Sequence, residues 1–128
     1  MLKITTLGAA KEVGRSAFLV NSNNTNILLD YGVLLKREPI FPIHVKPKDI
    51  DAVVVTHPHL DHSGFVPFLF LNTDAKIEAL GTLPTFELSQ LLIQDMLKIS
   101  GFYLPFEFPD LINMINHSIN IDYRTKYS

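Results

Sequence analysis

The run Ala52-Val53-Val54-Val55 constrains the fold most. It is too short for a helix and lacks the alternation of a strand with one face in water. Such a run is typical of a strand buried on both faces, and it requires a layer on each side of its sheet. Neighbouring segments supply the partners. Lys3-Ile4-Thr5-Thr6-Leu7 alternates and carries β-branched residues until Gly8 breaks it. Ser16 to Val20 and Asn26 to Asp30 flank Asn21-Ser22-Asn23-Asn24-Thr25, whose Asn and Ser residues tolerate left-handed backbone, so a hairpin is predicted there. A further strand is predicted at Lys76-Ile77-Glu78-Ala79-Leu80, and then the period changes. Thr82 and Pro84 mark a helix start, and Phe86, Leu88, Leu91, Leu92, Met96, Leu97 and Ile99 recur at helical spacing up to Gly101. A second, weaker helix is expected from Glu107 or Asp110 to about Asn116. Strands followed by strand–helix units predict an α/β sandwich in which helices cover a sheet.

The chain's 128 residues suffice for one domain and argue against two. With 47% hydrophobic and 19% charged residues, nine Phe and four Tyr, it can build a core, which excludes an intrinsically disordered chain. Eleven Lys and Arg against thirteen Asp and Glu leave a net charge of −2, so no overall basic field advertises nucleic acid. The absence of cysteine excludes a disulfide scaffold, a thiolate zinc site and a cysteine nucleophile. The longest apolar run, Phe65 to Leu71, contains a proline and is too short to cross a bilayer. Met1-Leu2-Lys3-Ile4-Thr5 reads as a strand rather than a signal peptide. The expectation is a soluble, cytoplasmic protein with no membrane partner.

Directly after the apolar strand comes Thr56-His57-Pro58-His59-Leu60-Asp61-His62-Ser63-Gly64. Three of the chain's five histidines lie there around one carboxylate. Imidazole nitrogen and carboxylate oxygen suit Zn²⁺ and related divalent ions. A turn anchored by a buried strand can aim adjacent side chains at one point. His57 and His59 can clamp one ion while Asp61 and His62 reach toward a second, and two ions roughly 3.5–4 Å apart can activate a shared water. Ser16, Ser63, Ser89 and Ser100 lack a G-x-S-x-G elbow, and no glycine-rich phosphate loop is present. Asp30 reads equally as an ordinary strand-end turn residue or as a carboxylate that accepts the second N–H of a ligand imidazole. His44 sits in a proline-punctuated loop and reads as structural or solvent-facing. His117 follows the second helix and reads as a helix C-terminal histidine before a distal ligand.

The motif His57-x-His59-x-Asp61-His62, with Thr56 before it and Ser63-Gly64 after, resembles that of the metallo-β-lactamase superfamily. Leu7 to Ser16 and Ile27 to Gly32 resemble its β-CASP branch, which holds RNase J-like ribonucleases and archaeal relatives of the cleavage and polyadenylation specificity factor. Thr82-Leu83-Pro84-Thr85, Leu91 to Ile99 and Leu104-Pro105-Phe106 also resemble the archaeal members. The resemblance implies an αββα sandwich, of which residues 1–128 are the N-terminal half with no second domain. It implies two zinc ions and hydrolysis of RNA phosphodiesters in 3′-end processing or decay. By motif position it implies His57 and His59 as ligands of the first zinc and Asp61 and His62 of the second, with Asp61 also in the catalytic set. Asp30 becomes the strand-end carboxylate that supports the ligands. The resemblance also puts Lys11 and Arg15 on the substrate side, where their charge would suit a phosphate backbone, while as loop residues they read slightly better as ordinary solvated charges.

The family also supplies a third histidine for the first zinc, a metal-bridging aspartate and a last histidine for the second. After His62 only His117 remains, outside the family's next motif, and Asp74, Asp95, Asp110 and Asp122 match none. The sequence reads as stopping, at Ser128, shortly before the next ligand. Two side chains per zinc make a weak site, since catalytic zinc takes about three protein ligands. The expectation is one weakly held zinc or none, and little or no activity alone. An apolar sheet face is left for the rest of the module or for self-association. Two other readings stand beside this one: a hydrolase of small esters or thioesters on the same fold, and a non-catalytic half that pairs with a complementary chain.

Overall fold

The computed structural model describes residues 1–71 and 76–127; Asp74 and Ser128 lie outside them. Six strands form one sheet in chain order: β1 (Leu2–Gly8), β2 (Ala17–Ser22), β3 (Thr25–Leu29), β4 (Ala52–Val54), β5 (Glu78–Gly81) and β6 (Ser118–Asn120). β1, β2 and β3 pair antiparallel, and β3 to β6 run parallel. The β2–β3 hairpin turns where the Asn-rich segment predicts it, with Asn23 left-handed at φ 57°.

Among the described residues three α-helices accompany the sheet: α1 (Leu60–Ser63), α2 (Leu83–Ser100) and α3 (Phe108–Asn116). α2 begins as its sequence predicts, with Pro84 in the first turn and the Thr82 hydroxyl accepting the Thr85 N–H at 3.4 Å. At the start of α3 the Asp110 carboxylate accepts the Glu107 N–H at 2.8 Å. β6 lies outside the sequence-based expectation. Ser118-Ile119-Asn120 carries no pattern of its own, and it becomes a strand because α3 delivers the chain alongside β5.

Register decides which residues share a face. Leu19, Leu28, Val53 and Ala79 align across β2 to β5. Leu28, Val53 and Ala79 are fully buried, in one core with Phe65, Phe70, Ile93, Met96, Leu111 and Met114 from the helical layer. Phe65 is the hub of an aromatic stack, with ring centroids 4.5 Å from Phe41, 4.7 Å from Phe68 and 5.1 Å from Tyr31.

The opposite face is equally apolar. One row holds Phe18, Leu29, Val54, Leu80 and Ile119, and the next holds Ile4, Val20, Ile27 and Ala52. None of these nine residues is buried, and Ile4 is 66% exposed. The expectation that Ala52 to Val55 is buried on both faces is therefore corrected. Val53 and Val55 are buried, while Ala52 and Val54 are only half-buried. The physical reason is that the buried hydrophobic residues of α2 and α3 (Phe86, Ile93, Met96, Leu111 and Met114) all belong to the single core on the other side. The architecture is one sheet with helices on one face, which is half of an αββα sandwich.

Candidate metal centre

The Val55 N–H donates to the Leu80 carbonyl at 2.9 Å, so the chain leaves β4 at the carboxyl end of the parallel strands. That end is where open α/β sheets bind ligands. The His-rich turn is fixed there by main-chain bonds. Ser16 N–H donates to the Asp61 carbonyl, Tyr31 N–H to that of His62 and Val33 N–H to that of Leu60, each at 2.9 Å, and Phe65 N–H donates to the Tyr31 carbonyl at 2.8 Å. The approach is closest at Gly32, where a Cβ would lie 1.8 Å from the Asp61 carbonyl oxygen. Only a residue without a side chain fits there.

Three of the expected ligands come together. The His57 ring centroid lies 4.2 Å from that of His59 and 5.2 Å from that of His62. His62 is the best oriented, because its Nδ1 lies 2.8 Å from Asp30 Oδ2. Asp30 is 5% exposed and left-handed at φ 59°, a conformation Asp tolerates. Its Oδ1 accepts the Thr56 N–H at 2.8 Å, and Oδ2 also accepts the Thr56 hydroxyl at 2.6 Å. A carboxylate serving three such contacts is the acceptor toward His62 Nδ1, and the Nε2 lone pair then points outward, 3.6 Å from Asp61 Oδ2.

The donor chemistry suits zinc, but the set is incomplete. Among the described residues no group of three or more His, Asp or Glu side chains is arranged to hold a metal ion.

The remaining candidates lie elsewhere. Lys11 is exposed on the 9–15 loop, where Ala9, Lys11, Gly14 and Arg15 all have positive φ. Arg15 is half-buried and engaged, paired with the Glu12 carboxylate and donating to the Phe41 carbonyl at 2.9 Å. It braces two loops. His44 packs on Phe68 and Phe65 at 4.9 and 5.3 Å. His117 ends α3, with Nδ1 2.8 Å from the Asn113 carbonyl and its ring 5.6 Å from Phe70. Both fit the structural expectation.

Three supporting residues had no role in the sequence reading. Thr56 holds Asp30, Gly32 admits the α1 turn, and Tyr31 fastens the loop above. The Tyr31 hydroxyl donates to the Ile43 carbonyl at 3.0 Å and accepts the Val45 N–H at 3.2 Å. Burial pushes its phenol up to about 12, against the lowering effect of the Val45 N–H. The dipeptide Tyr31-Gly32 after a strand-end aspartate was a usable signal for a close approach of backbone.

The histidines and the Asp30 carboxylate thus gather at the carboxyl end of the parallel strands of this half-sandwich. Residues 10–93 match the metallo-beta-lactamase superfamily, and the chain belongs to that family. It is 39% identical over 131 residues to the transcription termination factor FttA of Methanocaldococcus jannaschii, covering 95% of this chain and 20% of that protein. It is 34% identical over 119 residues to the RNase aCSPSF2 of Saccharolobus solfataricus, covering 91% and 24%. A probable RNase of M. jannaschii, MJ4, is 36% identical over 129 residues, covering 98% and 30%. These relatives bear out the resemblance to archaeal β-CASP proteins, and the chain spans less than a third of their length.

Proposed function

We propose that this chain is the N-terminal part of a cytoplasmic, zinc-dependent ribonuclease that hydrolyses RNA phosphodiesters in 3′-end processing or decay. One observation carries the reading: His57, His59 and His62 converge at the carboxyl end of the sheet, with His62 held by Asp30. His57 and His59 are this chain's donors for one zinc, and Asp61 and His62 for the second. RNA is preferred over small esters because two of the relatives named above are called RNases. The remaining ligands come from the rest of the metallo-β-lactamase and β-CASP module, which packs on the uncovered sheet face. Alone, the chain is inactive or nearly so.

The test compares the isolated chain with the full-length protein on RNA and on small esters, with and without Zn²⁺. Full-length protein is expected to cleave RNA in an EDTA-sensitive manner that His59→Ala abolishes, while the isolated chain cleaves nothing. Ester hydrolysis without RNA cleavage would overturn the ribonuclease reading. EDTA-sensitive RNA cleavage by the isolated chain, lost in His59→Ala, would overturn its inactivity.

A further inference from the structure

α2 is apolar on two sides. Phe86, Ile93 and Met96 are buried in the core against the sheet. Leu88, Leu91 and Ile99 face away from it, and Leu91 is 64% and Ile99 77% exposed. Phe102, in the 3-10 turn Gly101–Tyr103 that follows the helix, is 95% exposed, with the Tyr103 ring edge-on to it at 5.3 Å. A cavity of about 340 Å³ lies along the outer side of α2, bordered by Leu91, Leu92, Gln94, Asp95 and Lys98. Helices apolar on both sides are ordinarily covered on both, so this outer face fits a partner.

The charges on α2 say which partner. They are Glu87, Asp95 and Lys98, and the last two border the cavity without making an ion pair among the described residues. Leu91, Asp95 and Lys98 follow at the spacing of one helical seam, and Phe102 continues the interval just past the helix end. A second copy laid antiparallel, with a two-fold axis crossing α2 between Met96 and Leu97, sets Asp95 opposite Lys98 and Leu91 opposite Phe102. Symmetry makes each pairing twice. Glu87 lies beyond the end of that overlap. Parallel pairing would set Asp95 against Asp95 and Lys98 against Lys98, and an axis at Asp95 would bring its two copies together. Charge therefore selects one orientation and one register. In that register Phe102 is a knob and the cavity beside Leu91 its hole, both on one surface, as a self-complementary contact requires. We infer that the outer face of α2 is a homodimer interface, closed by packing of Leu91 on Phe102 and by reciprocal Asp95–Lys98 ion pairs. One helix pair is smaller than a standard interface of roughly 800 Å² per partner, so association depends on concentration.

The inference is independent of the zinc and ribonuclease reading, and it is tested in EDTA so that no metal can cross-link histidines of two copies. Sedimentation equilibrium of the 128-residue chain from about 10 to 500 µM should show a monomer–dimer equilibrium. Asp95→Lys and Lys98→Asp, both at exposed positions, should each raise the dissociation constant about tenfold or more, because each creates two like-charge contacts. An equimolar mixture of the two variants should dimerise again to within about threefold of the parent, since every contact between positions 95 and 98 is then of opposite sign. Recovery in the mixture also shows that both variants are folded. Phe102→Ser should weaken the dimer, while Ile4→Lys on the uncovered sheet face should leave it unchanged. A chain that stays monomeric over the whole range, single reversals that leave the dimer intact, or a mixture that fails to re-form it overturns the inference. So does a dimer dissociated by Ile4→Lys and not by Phe102→Ser, which would place the contact on the sheet.

Discussion

Replacing Asp30 tests whether the His62 side chain is aimed by design. In Asp30→Ala three accepted contacts vanish: the Thr56 N–H at 2.8 Å, the Thr56 hydroxyl at 2.6 Å and His62 Nδ1 at 2.8 Å. Bonds to a charged group contribute roughly 1.5–3 kcal/mol each, but Thr56 is exposed and water replaces part of its loss. Together the contacts give about 2–4 kcal/mol. The left-handed backbone at φ 59° adds about 1 kcal/mol for alanine, which lacks the side-chain bonding that lets Asp and Asn adopt it. The total, about 3–5 kcal/mol, is a large part of the roughly 5–15 kcal/mol that stabilises a small domain. Asp30→Asn keeps the shape and the backbone preference, and should cost only about 1–2 kcal/mol. Its amide NH₂ must sit where Oδ2 was, because the Thr56 N–H at Oδ1 can only donate. It then donates to His62 Nδ1, which forces the imidazole proton onto Nε2 and removes the outward lone pair. Urea denaturation measures the two stability losses, and long-range ¹H–¹⁵N correlation of the imidazole reads the tautomer. An Asp30→Ala cost below about 1 kcal/mol, or an Asn variant that keeps the Nδ1–H tautomer, would refute the argument.

Other expectations follow from the same structure. Gly32→Ala places a methyl 1.8 Å from the Asp61 carbonyl oxygen and should destabilise by about 3 kcal/mol or more, visible as a lower urea midpoint; a change within about 0.5 kcal/mol would contradict it. Tyr31, raised to about 12, contributes stability that is complete below pH 10 and is lost as the pH climbs to 12, by up to about 3 kcal/mol. Tyr31→Phe should flatten that alkaline slope in pH-dependent unfolding. Val53→Lys, in the core, should unfold the chain, whereas Val54→Lys on the uncovered face should cost less than about 1.5 kcal/mol, as thermal melts would show.

Legibility in the sequence was uneven, for identifiable reasons. The hairpin and α2 were plain because turn chemistry and capping act locally, through Asn23 and Thr82. β6 was hidden because Ser118 to Asn120 pairs only where α3 delivers it. Hydropathy predicted two-sided burial for Ala52 to Val55, and it cannot say which chain covers a face. The histidine cluster was visible from composition and spacing alone. Its support was not, since Thr56 and Tyr31 act through hydrogen bonds to residues far along the chain. The partners of Arg15, the Glu12 carboxylate and the Phe41 carbonyl, were likewise not legible, because Phe41 lies 26 residues along the chain.

The main-chain bonds that hold the histidine turn join Ser16, Tyr31 and Val33 to Leu60, Asp61 and His62, and Phe65 back to Tyr31. Every partner precedes residue 66. On a ribosome, all these main-chain partners are synthesised before α2 exists. On the proposed zinc reading, ligands contributed from elsewhere would meet imidazoles that are already aimed, and a metal would complete a socket instead of gathering loose chain. Assembly of such a centre is a docking event with its entropy loss divided in two, the first part met by ordinary folding of the early strands.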